Sequence, residues 1–231
     1  FSLDEPVEDL RINTEGTLNV LEALKKYNPK GTFIYCSTNK VYGNNVHQHA
    51  IVEKKLRYEF KKGLGINEME GIDFAGHTPY GISKLAGDLY VQDYARMHGI
   101  KAGVFRMSCV YGTRQFGFED HGWIAWLTIR HILGEKINVY GDGKQLRDVL
   151  WCEDLAHAFK KFIKSPLKEE VFNIGGGPQN TISLLELLQV LEKITGKKSK
   201  VEFKNWRAFD QKVYVSDIRK VSKSLNWSPT V

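Results

Sequence analysis

Helical and extended segments alternate along most of this 231-residue chain, and this alternation limits the possible folds strongly. Apolar side chains recur every three or four residues, as in amphipathic helices, in six segments: 10–27, 80–98, 123–133, 155–163, 183–194 and 217–225. Short apolar runs that are typical of strands occupy 32–36, 102–107, 137–140, 148–151, 171–174 and 201–203. This order predicts an α/β fold with a parallel sheet covered by helices.

Polar residues follow two neighbouring strands of the predicted sheet. Ser37 and Thr38 follow strand 32–36, and Ser108 follows strand 102–107. Ligands of parallel α/β sheets bind at the carboxyl ends of the strands, so we expect these segments to share the functional edge. The polar segment 44–76 contains a charged run from Glu53 to Lys62, which we expect to form a solvated loop or a short helix. Ser183 and Glu186 fit a capping box at the start of a helix.

Composition and charge exclude several classes of protein. No apolar run approaches the ~20 residues of a membrane-spanning helix. The net charge is +6, but no dense basic stripe with interleaved aromatic residues suggests a nucleic-acid partner. The three cysteines lie far apart, which favours a reduced, cytoplasmic protein over a disulfide framework or a metal site.

The pattern Tyr-x-x-x-Lys occurs three times, and its context selects one copy. Tyr58 is followed by a glycine-rich, helix-breaking stretch, and Tyr140 runs into a Gly-Asp-Gly turn. Only Tyr80 opens a long amphipathic segment, where Tyr80 and Lys84 share one helix face. With the Thr38 hydroxyl, this pair supplies the groups needed to move a proton and a hydride on a sugar alcohol.

The glycine-rich dinucleotide fingerprint is not found in this sequence. The three glycine-rich stretches, at 63–65, 141–143 and 175–177, do not complete Gly-x-Gly-x-x-Gly between a strand and a helix. A Walker-type phosphate loop is also missing from the sequence.

Seven motifs nevertheless appear in one order that is specific to a known family. They occupy 13–23, 37–43, 80–84, 105–112, 140–148, 154–156 and 172–175. In this order the chain resembles the later two-thirds of an extended short-chain dehydrogenase/reductase of the NAD-dependent epimerase/dehydratase family. The resemblance implies that the glycine fingerprint and the first strands would precede Phe1.

The resemblance also implies a domain division, a cofactor and partners. A Rossmann-like NAD-binding domain would comprise 1–112 and 145–175. A small nucleotide-sugar-binding lobe would comprise 113–144 and 176–231. The expected cofactor is NAD, and the expected partners are a nucleotide-diphosphate sugar and further copies of the chain. A homodimer or higher oligomer would form through the helix at 10–27 and the helix that begins at Tyr80.

The family motifs imply roles for individual residues. Tyr80 would be the acid/base, with its phenolate favoured by Lys84 and by a nearby nicotinamide cation, while Thr38 would orient the reacting hydroxyl. The implied NAD contacts are Asn13, Ser37, Tyr80, Lys84, Met107 and Ser108. The implied substrate contacts are Cys109, Gln115, His121, Arg147 and Arg207, of which the two arginines would hold the diphosphate.

The residues after Thr38 narrow the expected reaction. The 4,6-dehydratases of the family carry Asp-Glu there, as an acid and a base for the removal of water, whereas this chain has Asn39 and Lys40. The segment 38–43 and Cys109 instead resemble the CDP-paratose (CDP-tyvelose) 2-epimerases. The expected reaction is therefore transient oxidation of a nucleotide sugar to a keto sugar, with hydride return to the opposite face. A 4-epimerase, a reductase and an inactive remnant that binds a nucleotide or a partner remain open.

Overall fold

The computed structural model describes residues 2–231, in which helices and strands alternate as predicted. The strands are β1 (Thr32–Thr38), β2 (Ile51–Glu53), β3 (Tyr58–Phe60), β4 (Lys101–Met107), β5 (Cys109–Tyr111), β6 (Lys136–Tyr140), β7 (Leu146–Trp151), β8 (Glu169–Ile174), β9 (Thr181–Ser183), β10 (Lys200–Lys204) and β11 (Val213–Tyr214). The helices are α1 (Pro6–Asp9), α2 (Gly16–Tyr27), α3 (Pro79–His98), α4 (Trp123–Leu133), α5 (Cys152–Lys164), α6 (Leu184–Thr195) and α7 (Arg219–Leu225).

The central sheet is parallel and Rossmann-like, as predicted, with strand order β1-β4-β8. Its register pairs Thr38 with Met107 and Met107 with Ile174. The carboxyl ends of the three strands are therefore level, and the residues that follow them meet at one edge.

Both faces of this sheet are buried by helices. Alternate side chains of a strand point to opposite faces, and on β4 Val104 belongs to one apolar cluster while Phe105 belongs to another. The Val104 cluster includes Leu21 of α2 and Val91 of α3, and the Phe105 cluster includes Phe162 of α5. The helices that carry the candidate site are thus fixed to the sheet by apolar packing.

The predicted helix at 10–27 is longer and less regular than expected. It begins at Pro6, a residue suited to the first turn of a helix, and Leu10–Glu15 form π-helical turns. In those turns Asn13 donates to the Ser83 hydroxyl at 3.0 Å, and Thr14 donates to the Ser83 carbonyl at 3.0 Å. These bonds to α3 accompany the departure from α-helical geometry.

Several short strands were not predicted. The polar segment 44–76 contains the antiparallel hairpin β2–β3, whose three-residue strands carry too few apolar residues for a clear alternation. Strands β5 and β9 also have three residues, and β11 has two.

The last helix begins at Arg219 rather than Asp217, whose carboxylate accepts from the Arg219 amide at 3.1 Å. The capping box of Ser183 and Glu186 is confirmed.

A separate apolar cluster lies among α4, α6 and the parallel pair β6–β10. Its buried members are Leu127, Ile137, Val139, Leu187, Leu188 and Leu191. This cluster falls within the segments 113–144 and 176–231 that were expected to bind the nucleotide sugar. Within residues 2–231, the helices do not combine the length and apolar character that crossing a membrane requires.

Candidate active site

Thr38 and Tyr80 come together at the carboxyl edge of the central sheet. Thr38 ends β1, and Tyr80 lies in the first turn of α3. Thr78 caps this helix by accepting from the Gly81 amide at 3.1 Å, and Pro79 occupies its first position. The Thr38 side chain lowers the pKa of the Tyr80 phenol, so the two groups lie near each other. The fold itself therefore brings the expected hydroxyl and phenol to one edge.

The pKa of Tyr80 is set mainly by its burial. Burial raises this pKa, the Thr38 side chain lowers it, and the Asp9 carboxylate raises it. The Lys84 ammonium lies over the Tyr35 ring, 4.3 Å from its centroid, and a lowering of the Tyr80 pKa by Lys84 stays a prediction. Burial also lowers the pKa of Lys84.

The Tyr80–Lys84 face of α3 fits a bound NAD. Tyr80 is 37% exposed, so its phenol is reachable from outside the chain. The Lys84 ammonium lies over the Tyr35 ring and interacts electrostatically with Cys36 and Asp88, and within residues 2–231 it makes no hydrogen bond. A phenol and an ammonium one helical turn apart are thus available as donors to the hydroxyl groups of the cofactor.

Other residues that were expected to contact NAD are already bonded within the chain. Asn13 donates to Ser83, Ser37 donates to the Asp88 carboxylate at 2.6 Å, and Ser108 donates to the Asp148 carbonyl at 3.0 Å. Met107 packs partly buried against the Phe105 cluster. The polar side chains of this group therefore fix the elements that carry Thr38 and Tyr80, and their contacts with NAD stay a prediction.

A buried ion pair behind the site was missed from the sequence. Arg106 on β4 contacts both carboxylate oxygens of Asp88 on α3, at 2.9 and 3.1 Å, and both side chains are nearly inaccessible. Arg106 also donates to the Tyr42 hydroxyl at 3.2 Å, which donates to Asn173 on β8 at 2.6 Å. The signal was available, since Arg106 interrupts an otherwise apolar central strand.

The second group of site residues surrounds Arg147 on β7. Arg147 is paired with Asp210 at 2.8 Å, and it interacts electrostatically with Cys109 and Lys40. The Trp123 indole donates to the Cys109 sulfur at 3.2 Å, and burial raises the pKa of the Cys109 thiol. Cys109 and Arg147 therefore lie together, as expected for two substrate contacts.

Of the remaining expected substrate contacts, Gln115 and His121 lie in the loop before α4, and Arg207, which follows β10, contacts this loop. Arg207 donates to the Glu119 carbonyl at 2.9 Å, pairs with Asp120 at 2.8 Å, and lies over the Tyr140 ring. Gln115 donates to the Val110 carbonyl, and its side-chain oxygen is buried without a partner among the described residues. His121 is exposed beside Phe118. Arg207 thus holds this loop and is not free in the chain alone.

The sheet, the tyrosine–lysine helix and the threonine at the strand end define a Rossmann-like α/β protein with a candidate nicotinamide site. The NAD dependent epimerase/dehydratase family model matches residues 1–175. The chain belongs to this family.

The chain is similar to nucleotide-sugar epimerases over its whole length. It is 41% identical over 238 residues to the CDP-paratose 2-epimerase of Salmonella typhi, of which it covers 70%. It superposes with a TM-score of 0.82 and 31% identity on the UDP-glucose 4-epimerase of Thermotoga maritima with UDP-glucose, covering 68% of that chain. It also superposes on the UDP-glucose 4-epimerase of Thermus thermophilus, solved with NAD, with a TM-score of 0.80 and 27% identity, and it covers 68% of that chain. The chain thus spans about two thirds of these proteins.

Proposed function

We propose that the protein of this chain is an NAD-dependent epimerase that interconverts CDP-paratose and CDP-tyvelose at carbon 2 of the sugar. The observation that carries this proposal is the 41% identity, over the whole chain, to a CDP-paratose 2-epimerase. The pair of Thr38 and Tyr80 supports the chemistry. Asn39 and Lys40 after Thr38 argue against dehydration, because they do not provide the paired acid and base that loss of water requires.

Each side chain of the site has a defined task in this reaction. Thr38 orients the sugar hydroxyl, and Tyr80 removes its proton and later returns it. NAD, when bound, supplies the acceptor and donor of the hydride. Lys84 and Tyr80 hold NAD from the face of α3. The sugar turns over as a ketone before the proton and hydride are added back, so the configuration inverts without net oxidation.

The nucleotide part of the substrate would be held by the segments 113–144 and 176–231, together with Arg147. Arg207 and Arg147 are paired with Asp120 and Asp210 in the free chain. Guanidinium groups bind phosphate oxygens as well as carboxylates. We therefore expect the diphosphate to compete for one or both arginines when the substrate binds.

The direct test is conversion of CDP-paratose by the complete protein, followed by NMR of the sugar without net formation of NADH. Tyr80→Phe should lower the turnover number by about 100-fold to 10,000-fold, the range of general acid–base catalysis. Binding of CDP should stay unchanged, because CDP lacks the sugar hydroxyl that Tyr80 would deprotonate.

Tyr27→Phe is the matched control, since Tyr27 is 75% exposed and lies at the end of α2, away from the site. Its turnover should equal that of the wild type. Near-normal turnover in Tyr80→Phe would disprove the role of the phenol. Failure of the wild type to convert CDP-paratose would disprove the substrate.

A UDP-sugar 4-epimerase is the second candidate. The high structural similarity to a UDP-glucose 4-epimerase in complex with UDP-glucose favours it. Conversion of UDP-glucose to UDP-galactose, with no conversion of CDP-paratose, would select this alternative.

A further inference from the structure

The tip of the β2–β3 hairpin, residues 54–57, is bonded to the start of α6. The Arg57 guanidinium donates to both carboxylate oxygens of Glu186, each at 2.6 Å. It also donates to the hydroxyl and to the carbonyl of Thr181, at 3.0 and 3.3 Å. A forked contact of this kind fixes direction as well as distance, because the planar guanidinium matches the carboxylate. The Arg57 side chain is therefore only 24% exposed, although the sequence predicts a solvated run here.

The main chain of the hairpin is bonded to the same part of the molecule. The Ser183 hydroxyl donates to the Leu56 carbonyl at 2.7 Å, and the Tyr58 amide donates to the Lys144 carbonyl at 2.9 Å. The Glu186 carboxylate also accepts from the Ser183 amide at 2.9 Å, which completes the capping box of α6. One carboxylate therefore joins the hairpin to the end of β9 and to the first turn of α6.

Strand β9 connects this contact with Arg147. In the antiparallel pair β7–β9, Ile182 lies opposite Arg147. The hairpin is bonded to the residues on either side of Ile182, which are Thr181 and Ser183. Since β9 has only three residues, its pairing with β7 supplies few hydrogen bonds. The bonds of Arg57 therefore add directly to those that keep β9 beside Arg147.

The hairpin supports Arg147 from the far side of the strand. Leu146, the neighbour of Arg147 on β7, is buried in an apolar cluster with Tyr58 of the hairpin. Successive side chains of a strand point to opposite faces, so Arg147 leaves β7 on the face away from this cluster. The Arg147 guanidinium is paired with Asp210 at 2.8 Å. Arg57 is thus placed to fix the backbone of Arg147 without reaching a ligand of its side chain.

We propose that Arg57 is a positioning residue for the substrate: it holds β9, and β9 fixes the strand that carries Arg147. Without Arg57, β9 would separate from β7 more readily, because few other bonds retain so short a strand. Arg147 would then meet the diphosphate in several positions instead of one, and binding would weaken. The inference rests on the proposed function for the contact between Arg147 and the diphosphate, but the bonds of Arg57 come from this chain alone.

The test measures Arg57→Met against wild type in the complete protein. The dissociation constant of CDP and the KM for CDP-paratose should rise by about 2-fold to 30-fold, the range for residues that act on a site through intervening contacts. The turnover number should not change, since Thr38 ends a strand of the separate sheet β1-β4-β8.

Arg96→Met is the matched control, because it also removes an arginine–glutamate ion pair. Arg96 lies in the last turn of α3 and pairs at 2.6 Å with Glu169, the first residue of β8. This pair is at the amino end of the strand, opposite the candidate site. The control should leave the CDP affinity, the KM and the turnover number unchanged.

A double-mutant cycle separates positioning from general destabilisation. If Arg57 acts through Arg147, a variant with both Arg57→Met and Arg147→Met should bind CDP as weakly as Arg147→Met alone. Two independent effects would add, and that result would overturn the proposal. Arg57→Lys keeps a charge beside Glu186 without the fork, so it should weaken CDP binding less than Arg57→Met does. It takes the place of Arg57→Met in the cycle if the methionine variant does not fold.

The outcomes also distinguish this inference from the proposed function. Unchanged CDP affinity in the folded Arg57 variants, or a loss confined to the turnover number, would overturn the positioning role and leave the proposed epimerase intact. Normal CDP affinity in Arg147→Met would remove the diphosphate contact and the positioning role together. If the wild type does not convert CDP-paratose, the proposed substrate is wrong, and the same cycle measured with UDP and UDP-glucose decides the role of Arg57.

Discussion

At the scale of single residues, the Thr38 hydroxyl influences the pH at which the Tyr80 phenol accepts a proton. The Thr38 side chain lowers the pKa of Tyr80 against the effect of burial. Thr38→Val removes the hydroxyl, so the pKa should rise. Because the proposed base must be deprotonated, the acid limb of kcat/KM should then move to higher pH.

The measurement is a pH profile of kcat/KM for wild type, Thr38→Val and Thr38→Ser. The serine variant keeps a hydroxyl at the same Cβ and should retain a limb close to that of the wild type. Thr38→Val should also be slower at every pH, since the hydroxyl that orients the substrate is lost. An unchanged acid limb in Thr38→Val would show that the Thr38 hydroxyl does not influence the pKa of Tyr80.

Individual site residues were predictable where their position along the chain fixed their place in space. Thr38 ends a strand and Tyr80 begins a helix, so the fold alone brings them to one edge. Ser37 and Ser108 lie equally close in sequence, yet they donate to Asp88 and Asp148. Sequence position gave no sign of these partners, since the partners lie 51 and 40 residues away.

At the scale of elements, the contact between β4 and α5 depends on a missing side chain. A Cβ added to Gly103 would lie 2.7 to 2.9 Å from the ring of Phe162, which is fully buried. Gly103→Ala should therefore destabilise the protein by about 1–3 kcal/mol, the range for overpacked cores. Urea unfolding of the complete protein measures this change.

Gly16→Ala is the matched control, because the same substitution meets no obstacle there. Gly16 is helical at the start of α2, and its added Cβ would meet only the Arg11 carbonyl, at 3.6 Å. Alanine should stabilise this helix by about 0.5–1 kcal/mol. Equal effects of the two substitutions would contradict the packing argument.

The long elements followed from the sequence, and the short ones did not. Helix α3 combines a Thr-Pro start, a sustained apolar period and Gly99 at its end, so several independent signals agree. Strands β9 and β11 have three and two residues, and they are defined by their pairing with β7. Such strands depend on tertiary contacts that no local pattern encodes.

At the scale of the whole molecule, α2 and α3 expose apolar side chains that suit an interface between copies of the chain. They include Val20, Ile82, Leu89, Tyr90 and Met97, each more than 40% exposed. A dimer through these helices would remove this apolar area from water. Sedimentation velocity of the complete protein should show a dimer that Leu89→Glu weakens.

Ile194→Glu is the control for this experiment, since Ile194 is 75% exposed on α6, outside these two helices. It should leave the sedimentation of the protein unchanged. A wild type that sediments as a monomer at every concentration would disprove the dimer.

The polar network behind the active site has a consequence for how this protein can change over generations. Asp88 is shared by Ser37 and Arg106, and Arg106 reaches Asn173 through Tyr42. Loss of one member leaves a buried charge or dipole without a partner. Substitutions that preserve the fold must therefore change the interacting residues together. Divergence toward new substrates should therefore proceed at residues that lack such shared partners, while this network stays constant.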